Sequence, residues 1–350
     1  MIIGLSMAHE VSPHEHLREH TTHSTSLRDS KLSDCQGSDD PKNIDRVVRL
    51  RLNKVRDLCG DLCNTSKTTG KKGLYFDETS SQVTCSNIFD DIMDAPREQR
   101  FAPKCLPATF VDDFSMNGRV MLKRFPARGG TASKSKPRVF DQVYLGKEAQ
   151  TNVWTRDIVE KMKGEAVNGS MYGNYGNGEV ASLINATRKA GIRDKHVLVI
   201  GSENPWVEAI CLANGARHVT TLEYGHIDSQ HPDVSSILPS ELNKMFRDGV
   251  APKFDAVVTF SSLEHSGLGR YGDALNPWGD IISIARAWCT TTNDATLTIG
   301  VPWGPRDEIQ FNAHRIYSTN RYPYLTSNWK AFSREENKQR IFNFKKIPPI

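Results

Sequence analysis

"KHVLVIGSENPWVEAICLANGARHVTTLEY", residues 195–224, reads as strand, turn, helix and strand in one pass. Residues 196–200 are a continuous apolar run that stops at Gly201. Ser202 or Asn204 then stands as a helix N-cap, Pro205 takes the first helical position, and Gly215 falls just past the end. "HVTTLEY" is the second strand. Apolar runs without alternation belong to strands buried on both faces, which means a parallel sheet covered by helices.

The same rhythm continues on both sides. Downstream come a helix from about Pro239, the strand "FDAVVTF", the helix "DIISIARAWC" and the strand "ATLTIGVP". No third strand is evident between 225 and 238. Upstream, "NVWTRDIVEKMKGE" reads as a helix, "GSMYGNYGNG" as a glycine-broken loop, and "EVASLINATRKAG" as a helix stopped by Gly191. The fold class is therefore α/β: a doubly wound, mostly parallel sheet.

Composition sets the limits around this core. Of 350 residues, 38% are hydrophobic, which implies a partly disordered N-terminal extension. Residues 1–44 read as a disordered tail, with five of the eleven histidines in the first 23 positions. Residues 45–150 read as a poorly structured, Cys-containing extension with one short helix at 45–60 and a basic linker from 119 to 147. The domain proper spans 151–330, and 331–350 is a C-terminal tail. A net charge of +4 is too small to argue for nucleic acid. No apolar run approaches the roughly 20 residues that span a bilayer, and the first ten residues lack the features of a secretory leader.

The compartment is open. Nothing addresses the chain away from the cytoplasm, but Cys59, Cys63, Cys85 and Cys105 cluster near the sequon at Asn64, and further sequons stand at Asn168 and Asn185. Clustered cysteines beside sequons fit an oxidising lumen. A zinc site needs two tight pairs, and only Cys59 and Cys63 are close. Cys211 and Cys289 sit on apolar helix faces and read as buried thiols. "HIDSQHPD", 226–233, has metal-compatible spacing but no element to fix ligands; it reads as a loop over the ligand.

In such sheets ligands bind beyond the carboxyl ends of the strands, where strand order reverses. Three strand ends matter. Gly201-Ser202-Glu203 opens a helix whose amides favour an anion. Glu223 stands 22 residues after Gly201 and can accept ribose hydroxyls, with Tyr224 beside it. "SSLEHSGLGRYGD", 261–273, follows the strand beside the first. Together they describe a pocket for a nucleoside with an acidic tail.

These residues resemble the class I S-adenosylmethionine-dependent methyltransferases. Within that superfamily "GSENPWVEAICLANGA", "EHSGLGRYGDALNPWGD" and "FNAHRIYSTNRY" resemble the family called domain of unknown function 268. The resemblance covers about 151–330. It implies a Rossmann-like methyltransferase fold with seven strands, one antiparallel near the end, and the last two drawn from 313–345; "NKQRIFNFKKIPPI" is short for that pair. It implies S-adenosylmethionine as cofactor, with Gly201 and Ser202 at its methionine part, Glu223 and Tyr224 at its ribose side, and Ser261, Ser262 and Glu264 along the pocket. His265, His314, Arg270 and Asp273 are the catalytic candidates: His265 first and His314 second as base, Arg270 to orient an acidic acceptor or to pair with Asp273. Two departures stand out. Val199 replaces the usual carboxylate, and Gly-x-Gly is Gly201-Ser202-Glu203, whose side chains would crowd the cofactor's carboxypropyl arm.

Two functions compete: a methyltransferase acting on a small-molecule or glycan acceptor, and a catalytically inactive methyltransferase-like binding module. A nucleotide-sugar enzyme on a similar sheet is a third reading. The oligomeric state is not legible.

Overall fold

The computed structural model describes residues 41–65, 82–94, 106, 108–124, 152–173, 175–271, 273–311, 313–337 and 339–348. Residues 1–40 of the expected tail, most of the basic linker, Cys35 and Cys105 lie outside these.

The first elements are α1 (Pro41–Cys59), α2 (Cys85–Ile88), α3 (Val111–Ser115) and β1 (Met121–Arg124). Then come β2 (Asn152–Trp154), α4 (Arg156–Val167), α5 (Asn177–Lys189) and β3 (His196–Ile200). The central run is α6 (Trp206–Ala213), β4 (His218–Leu222), β5 (Ile227–Ser229), β6 (Val234–Ile237), α7 (Pro239–Arg247) and β7 (Phe254–Phe260). The chain closes with α8 (Gly279–Thr290), β8 (Thr291–Val301), β9 (Glu308–Phe311), β10 (His314–Ile316), α9 (Tyr322–Leu325), β11 (Trp329–Glu336) and β12 (Arg340–Lys346).

Seven strands form the main sheet in the order β11-β12-β8-β7-β3-β4-β6. β12 runs antiparallel to both its neighbours, and the other pairs are parallel. After β3 the chain winds outward to β4 and β6, then returns to β7 on the other side of β3. That reversal opens a crevice above the tips of β3 and β7. The doubly wound sheet and its single antiparallel strand are those implied by the resemblance.

Burial explains why the apolar runs lack alternation. In β3, Val197 and Val199 join one core cluster with α4, α5 and α6, while Leu198 and Ile200 join another with α8, β8 and β12. Successive side chains of a strand point to opposite faces, so both faces are dry.

Several expectations are corrected. A third strand does exist: β6 pairs with β4 although its centre is Ser235-Ser236. Its polar side chains are satisfied within the sheet: Ser235 Oγ lies 3.0 Å from Thr220 Oγ1 and 2.9 Å from His218 Nε2, and Ser236 Oγ donates to Ile227 O at 2.7 Å. Residues read as a tail from 331 onward contain most of β11 and all of β12, both paired in the sheet. Asn152–Trp154 is a strand paired with β5, and Thr155 caps α4 behind it by accepting from Ile158 N at 3.3 Å. Pro205 is the N-cap of α6, one residue earlier than its expected helical place.

The described part of 45–150 is ordered against the sheet. Val48, Leu52 and Val55 of α1 share a cluster with Leu275, Trp278 and Ile281 at the start of α8. Cys85 forms a disulfide with Cys289, so Cys289 is not a free thiol; Cys59 pairs with Cys63, and Cys211 stays free and buried. Among the described residues no helix is long and apolar enough to cross a membrane.

Candidate nucleoside-binding site

A hollow of about 1110 Å³, its mouth included, lies at the carboxyl tips of β3, β4 and β7. Gly201, Ser202, Glu223, Tyr224, Ser261, Ser262, His265 and Asp273 all line it. The sequence candidates from three separate strands therefore meet in one place.

Gly201 has φ +74°, and a Cβ there would lie 1.7 Å from Ser262 Oγ. Only glycine lets the β3 and β7 tips approach this closely. Ser202 does not crowd the hollow as its position suggested. Its hydroxyl turns inward, 2.8 Å from Asn204 O and 3.0 Å from Glu208 Oε2. Glu208, on α6, is fully buried and also accepts from Thr221 Oγ1 at 2.7 Å. Burial pushes its carboxyl up to about 7, against hydrogen bonds that favour the charge. One serine proton cannot serve two acceptors, so a protonated Glu208 fits this geometry: it donates to Ser202 Oγ while Ser202 donates to Asn204 O. The turn is also held from outside, where Asn152 Nδ2 and Trp154 Nε1 donate to Glu203 O at 2.8 and 3.3 Å. Glu203 itself is exposed at the mouth, its carboxyl raised by burial and lowered by Arg270.

Glu223 sits at the end of β4. Its Oε2 accepts from Ser202 N at 3.0 Å and its Oε1 from Tyr224 N at 2.7 Å. Burial lifts this carboxyl to about 7. The Gly225 amide also bonds this carboxylate, and Glu223 lines the hollow.

The 261–280 loop is built around its carboxylates. Ser261 takes the left-handed conformation, φ 51°, and donates to Glu264 Oε1 at 2.7 Å. Glu264 is buried, its carboxyl pushed by that burial to about 7, and its Oε2 has no hydrogen-bond partner among the described residues. Asp273 is taken up by backbone amides: its Oδ2 accepts from Gly267 at 2.6 Å and Gly269 at 3.3 Å, its Oδ1 from Tyr271 at 3.2 Å. Arg270 turns instead to Ala313 O at 3.5 Å and lies over the Tyr271 ring, 5.1 Å from its centroid. The expected Arg270–Asp273 pairing gives way to this arrangement, because the amides of a tight loop reach the carboxylate first.

His265 is 8% exposed and donates from Nδ1 to Ala313 O at 2.5 Å, which leaves Nε2 as the acceptor nitrogen. Burial and Arg270 hold its pKa down to about 3, so the imidazole is neutral at any working pH. His314 lies behind it, ring centroids 6.2 Å apart, and does not line the hollow.

Asp280 explains why "FNAHRIYSTNRY" accompanies this loop. Wholly buried at the start of α8, it receives Arg321 Nε at 2.9 Å and Nη2 at 2.5 Å, with Tyr317 Oη at 2.8 Å and Arg315 Nε at 3.7 Å. Burial alone would raise its pKa; the two arginines outweigh it and bring it to about 2. Arg315 also donates to Ser266 O at 2.5 Å and Arg321 to Pro277 O at 2.6 Å, wiring the loop to 315–321.

Sequence reasoning missed part of the wall. Tyr175, Trp206 and Phe260 line the hollow as an edge-packed aromatic group, with Phe260 centred 5.3 Å from Tyr175 and 5.4 Å from Trp206. Tyr175 comes from the glycine-broken loop "GSMYGNYGNG", Trp206 opens α6 and Phe260 ends β7. Asn243 and Arg286 also line it, both bonded to Asp94 from the N-terminal extension. The 226–233 segment does not cover the hollow. It forms β5, and His231 Nε2 sits 2.9 Å from Glu160 Oε1 of α4.

Residues 194–347 match the model of a family described as "Caenorhabditis protein of unknown function, DUF268", which bears out the resemblance. No curated protein matches the chain. Among solved structures, a Streptococcus mutans protein assigned as a SAM-dependent methyltransferase aligns at 10% identity and TM-score 0.32, over 47% of this chain and 47% of its own. Burkholderia thailandensis 1,6-didemethyltoxoflavin-N1-methyltransferase, with bound 1,6-didemethyltoxoflavin and S-adenosylhomocysteine, aligns at 15% identity and TM-score 0.31, over 48% of this chain and 79% of its own. A Pyrococcus horikoshii protein assigned as an RNA methyltransferase aligns at 11% identity and TM-score 0.34, over 53% and 96%. The match spans about half the length of the Streptococcus protein. The strand order of this chain's own sheet, rather than these likenesses, defines its fold.

Proposed function

We propose that this chain, with its DUF268 match over 194–347, binds S-adenosylmethionine in the hollow and transfers the methyl group to a hydroxyl- or amine-bearing small molecule or glycan. The observation that carries the reading is the Gly201–Ser262 approach with Glu223 beside it: a side-chain-free cradle next to a carboxylate that lines the hollow. Ser202 is compatible with it, because its hydroxyl turns onto Asn204 O and Glu208 beneath the cradle, while Glu203, which stands in place of the second glycine, stays at the mouth.

In this reading Gly201 and the turn behind it hold the methionine part. Glu203, at the mouth, suits the ammonium of the cofactor's amino acid. Glu223 accepts the ribose hydroxyls. Tyr224, Ser261 and Ser262 complete the wall, with Glu264 buried behind Ser261, and the Tyr175–Trp206–Phe260 group offers ring faces to a sulfonium, an attraction of about 0.5–2 kcal/mol. A bound S-adenosylmethionine supplies an electrophilic methyl. The chain's part is to align the acceptor in line with it, which is worth several kcal/mol of barrier. His265, neutral throughout, would position the acceptor hydroxyl through Nε2 and store its proton poorly. Arg270 would orient an acidic acceptor; Asp273 and His314 would act through the loop and through His265.

The weak basicity of His265 favours one second reading, a catalytically inactive binding module. Calorimetry with S-adenosylhomocysteine on the wild type and on Glu223→Ala separates the two. Heat with the wild type that is lost in the variant supports the enzyme; no heat in either supports a module that has lost the cofactor. The two disulfides, with exposed sequons at Asn168 and Asn185, favour an oxidising compartment over the cytoplasm.

A further inference from the structure

A separate hollow of about 680 Å³, its mouth included, lies at the C-terminal end of α8. It shares no lining residue with the hollow at the strand tips. Cys85 and Cys289 both line it, and so do Lys253 and Lys346. Among the described residues its lining carries these two cations and no carboxylate. The two disulfides of the chain thus differ in setting. Cys59 and Cys63, 3% and 1% exposed, are sealed in a core cluster, whereas the Cys85–Cys289 bond joins a half-buried residue to one 6% exposed.

The two ammonium groups are held at the helix end. Lys253 Nζ donates to Cys289 O at 2.9 Å, and Lys346 Nζ donates to Trp288 O at 2.7 Å and Thr291 O at 2.9 Å. They cap carbonyls that a helix C-terminus leaves open and oppose the negative end of its dipole. Burial, with the charge of Lys253 beside it, lowers the Lys346 ammonium to about 8. An anion arriving in the hollow would relieve that repulsion. A thiolate formed at Cys289 would do the same, since Lys253 is bonded to the carbonyl of that very residue.

We propose that Cys85–Cys289 is a thiol-exchange site that takes a small thiol carrying carboxylates. The incoming thiolate attacks Sγ of Cys85, the more exposed of the two cysteines. A bond forms between its sulfur and Cys85 while the Cys85–Cys289 bond breaks. The electron pair leaves on Cys289 Sγ as a thiolate beside Lys253, so one disulfide is traded for another. A second thiolate of the same kind then attacks the small thiol's sulfur, frees Cys85 and departs as the small-molecule disulfide. The link between the extension and α8 is left to noncovalent contacts such as Arg286 Nε to Ile88 O at 3.1 Å. This chemistry is independent of the nucleoside site.

The test treats the oxidised full chain near pH 7 with 3-mercaptopropionate, with neutral 2-mercaptoethanol and with cationic cysteamine. Rates are compared per thiolate, and products are trapped in acid and mapped as peptides. The carboxylate thiol is expected to open Cys85–Cys289 at least about tenfold faster than cysteamine, with 2-mercaptoethanol between them. The difference should vanish in about 1 M salt, where fields reach only about 3 Å. The adduct should sit on Cys85, and Cys59–Cys63 should stay closed. Lys253→Gln/Lys346→Gln should bring the three rates within about threefold. If that variant does not fold, the wild-type charge series and the place of the adduct decide alone. Equal rates with the three thiols, an adduct on Cys289, or a bond that opens only when the chain is unfolded overturns the proposal.

Discussion

The Cα of Gly201 faces the hydroxyl of Ser262 so closely that a methyl group placed on it would come to 1.7 Å from that oxygen. The tips of β3 and β7 are thus joined by the absence of a side chain. Gly201→Ala must move Ser262 and also hold alanine at φ +74°, a strain of about 1–2 kcal/mol. It should lose S-adenosylhomocysteine binding by more than about tenfold, and the double variant Gly201→Ala/Ser262→Gly should regain part of it. Binding by Gly201→Ala at wild-type strength would separate the cradle from the ligand.

Glu223 is expected to dominate affinity. Its loss removes charge-assisted bonds of about 1.5–3 kcal/mol each. Glu223→Ala should bind S-adenosylhomocysteine at least about tenfold more weakly, with Glu223→Gln in between. Titration calorimetry reads both.

Stability should depend on pH through Glu208 and Glu264. Both have folded-state pKa values raised by burial to about 7, above their unfolded value. Their contribution is complete below about 4.5 and is lost as pH rises through about 7, because the folded state binds the extra protons. His265 works the other way: depressed to about 3, it adds stability above its unfolded value and loses it as pH falls toward 3. The carboxyl effect is isolated by comparing wild type with Glu208→Gln in urea at pH 5 and pH 8. The variant should lose less stability across that interval, by on the order of 3 kcal/mol. Parallel curves would show Glu208 ionised in the fold.

The Cys85–Cys289 bond closes a separation of 204 residues between the extension and α8. Reduction, or Cys85→Ala, should lower unfolding free energy by about 2–4 kcal/mol, measured in denaturant. Peptide mapping without reductant should recover the two cysteines in one linked fragment.

Expressed through a secretory pathway, the chain should carry glycans at Asn168 and Asn185, both exposed, more readily than at Asn64, which is half-buried beside buried Thr65. Enzymatic deglycosylation should shift its mobility, with Asn168→Gln and Asn185→Gln each removing one step. An unshifted band would argue against the oxidising compartment.

What the sequence made legible follows local chemistry. β3, β4, β7 and β8 announced themselves because strands buried on two faces must be apolar throughout. β6 did not, since Ser235 and Ser236 satisfy their hydroxyls sideways and so look like loop. β11 did not, because in this edge strand exposed Lys330, Phe332, Arg334 and Glu336 alternate with half-buried Ala331, Ser333 and Glu335, so no apolar run marks it. Gly201, Glu223 and the Ser-Ser-Leu-Glu-His turn were readable as strand ends. Glu208 was not, being an acid inside an apolar helix face whose partners, Ser202 and Thr221, come from neighbouring elements. Asp94 and Cys85 were out of reach, since their partners lie 149 and 204 residues away.

The Asp280 cluster sets two cations around a single anion in a dry interior. Removing Asp280 alone strands two buried cations, a cost of about 3–5 kcal/mol, whereas removing Arg315 leaves the Asp280–Arg321 pair in place. A combinatorial library randomising position 280 alone should therefore return few folded clones beyond the parent, and one randomising position 315 alone should return more.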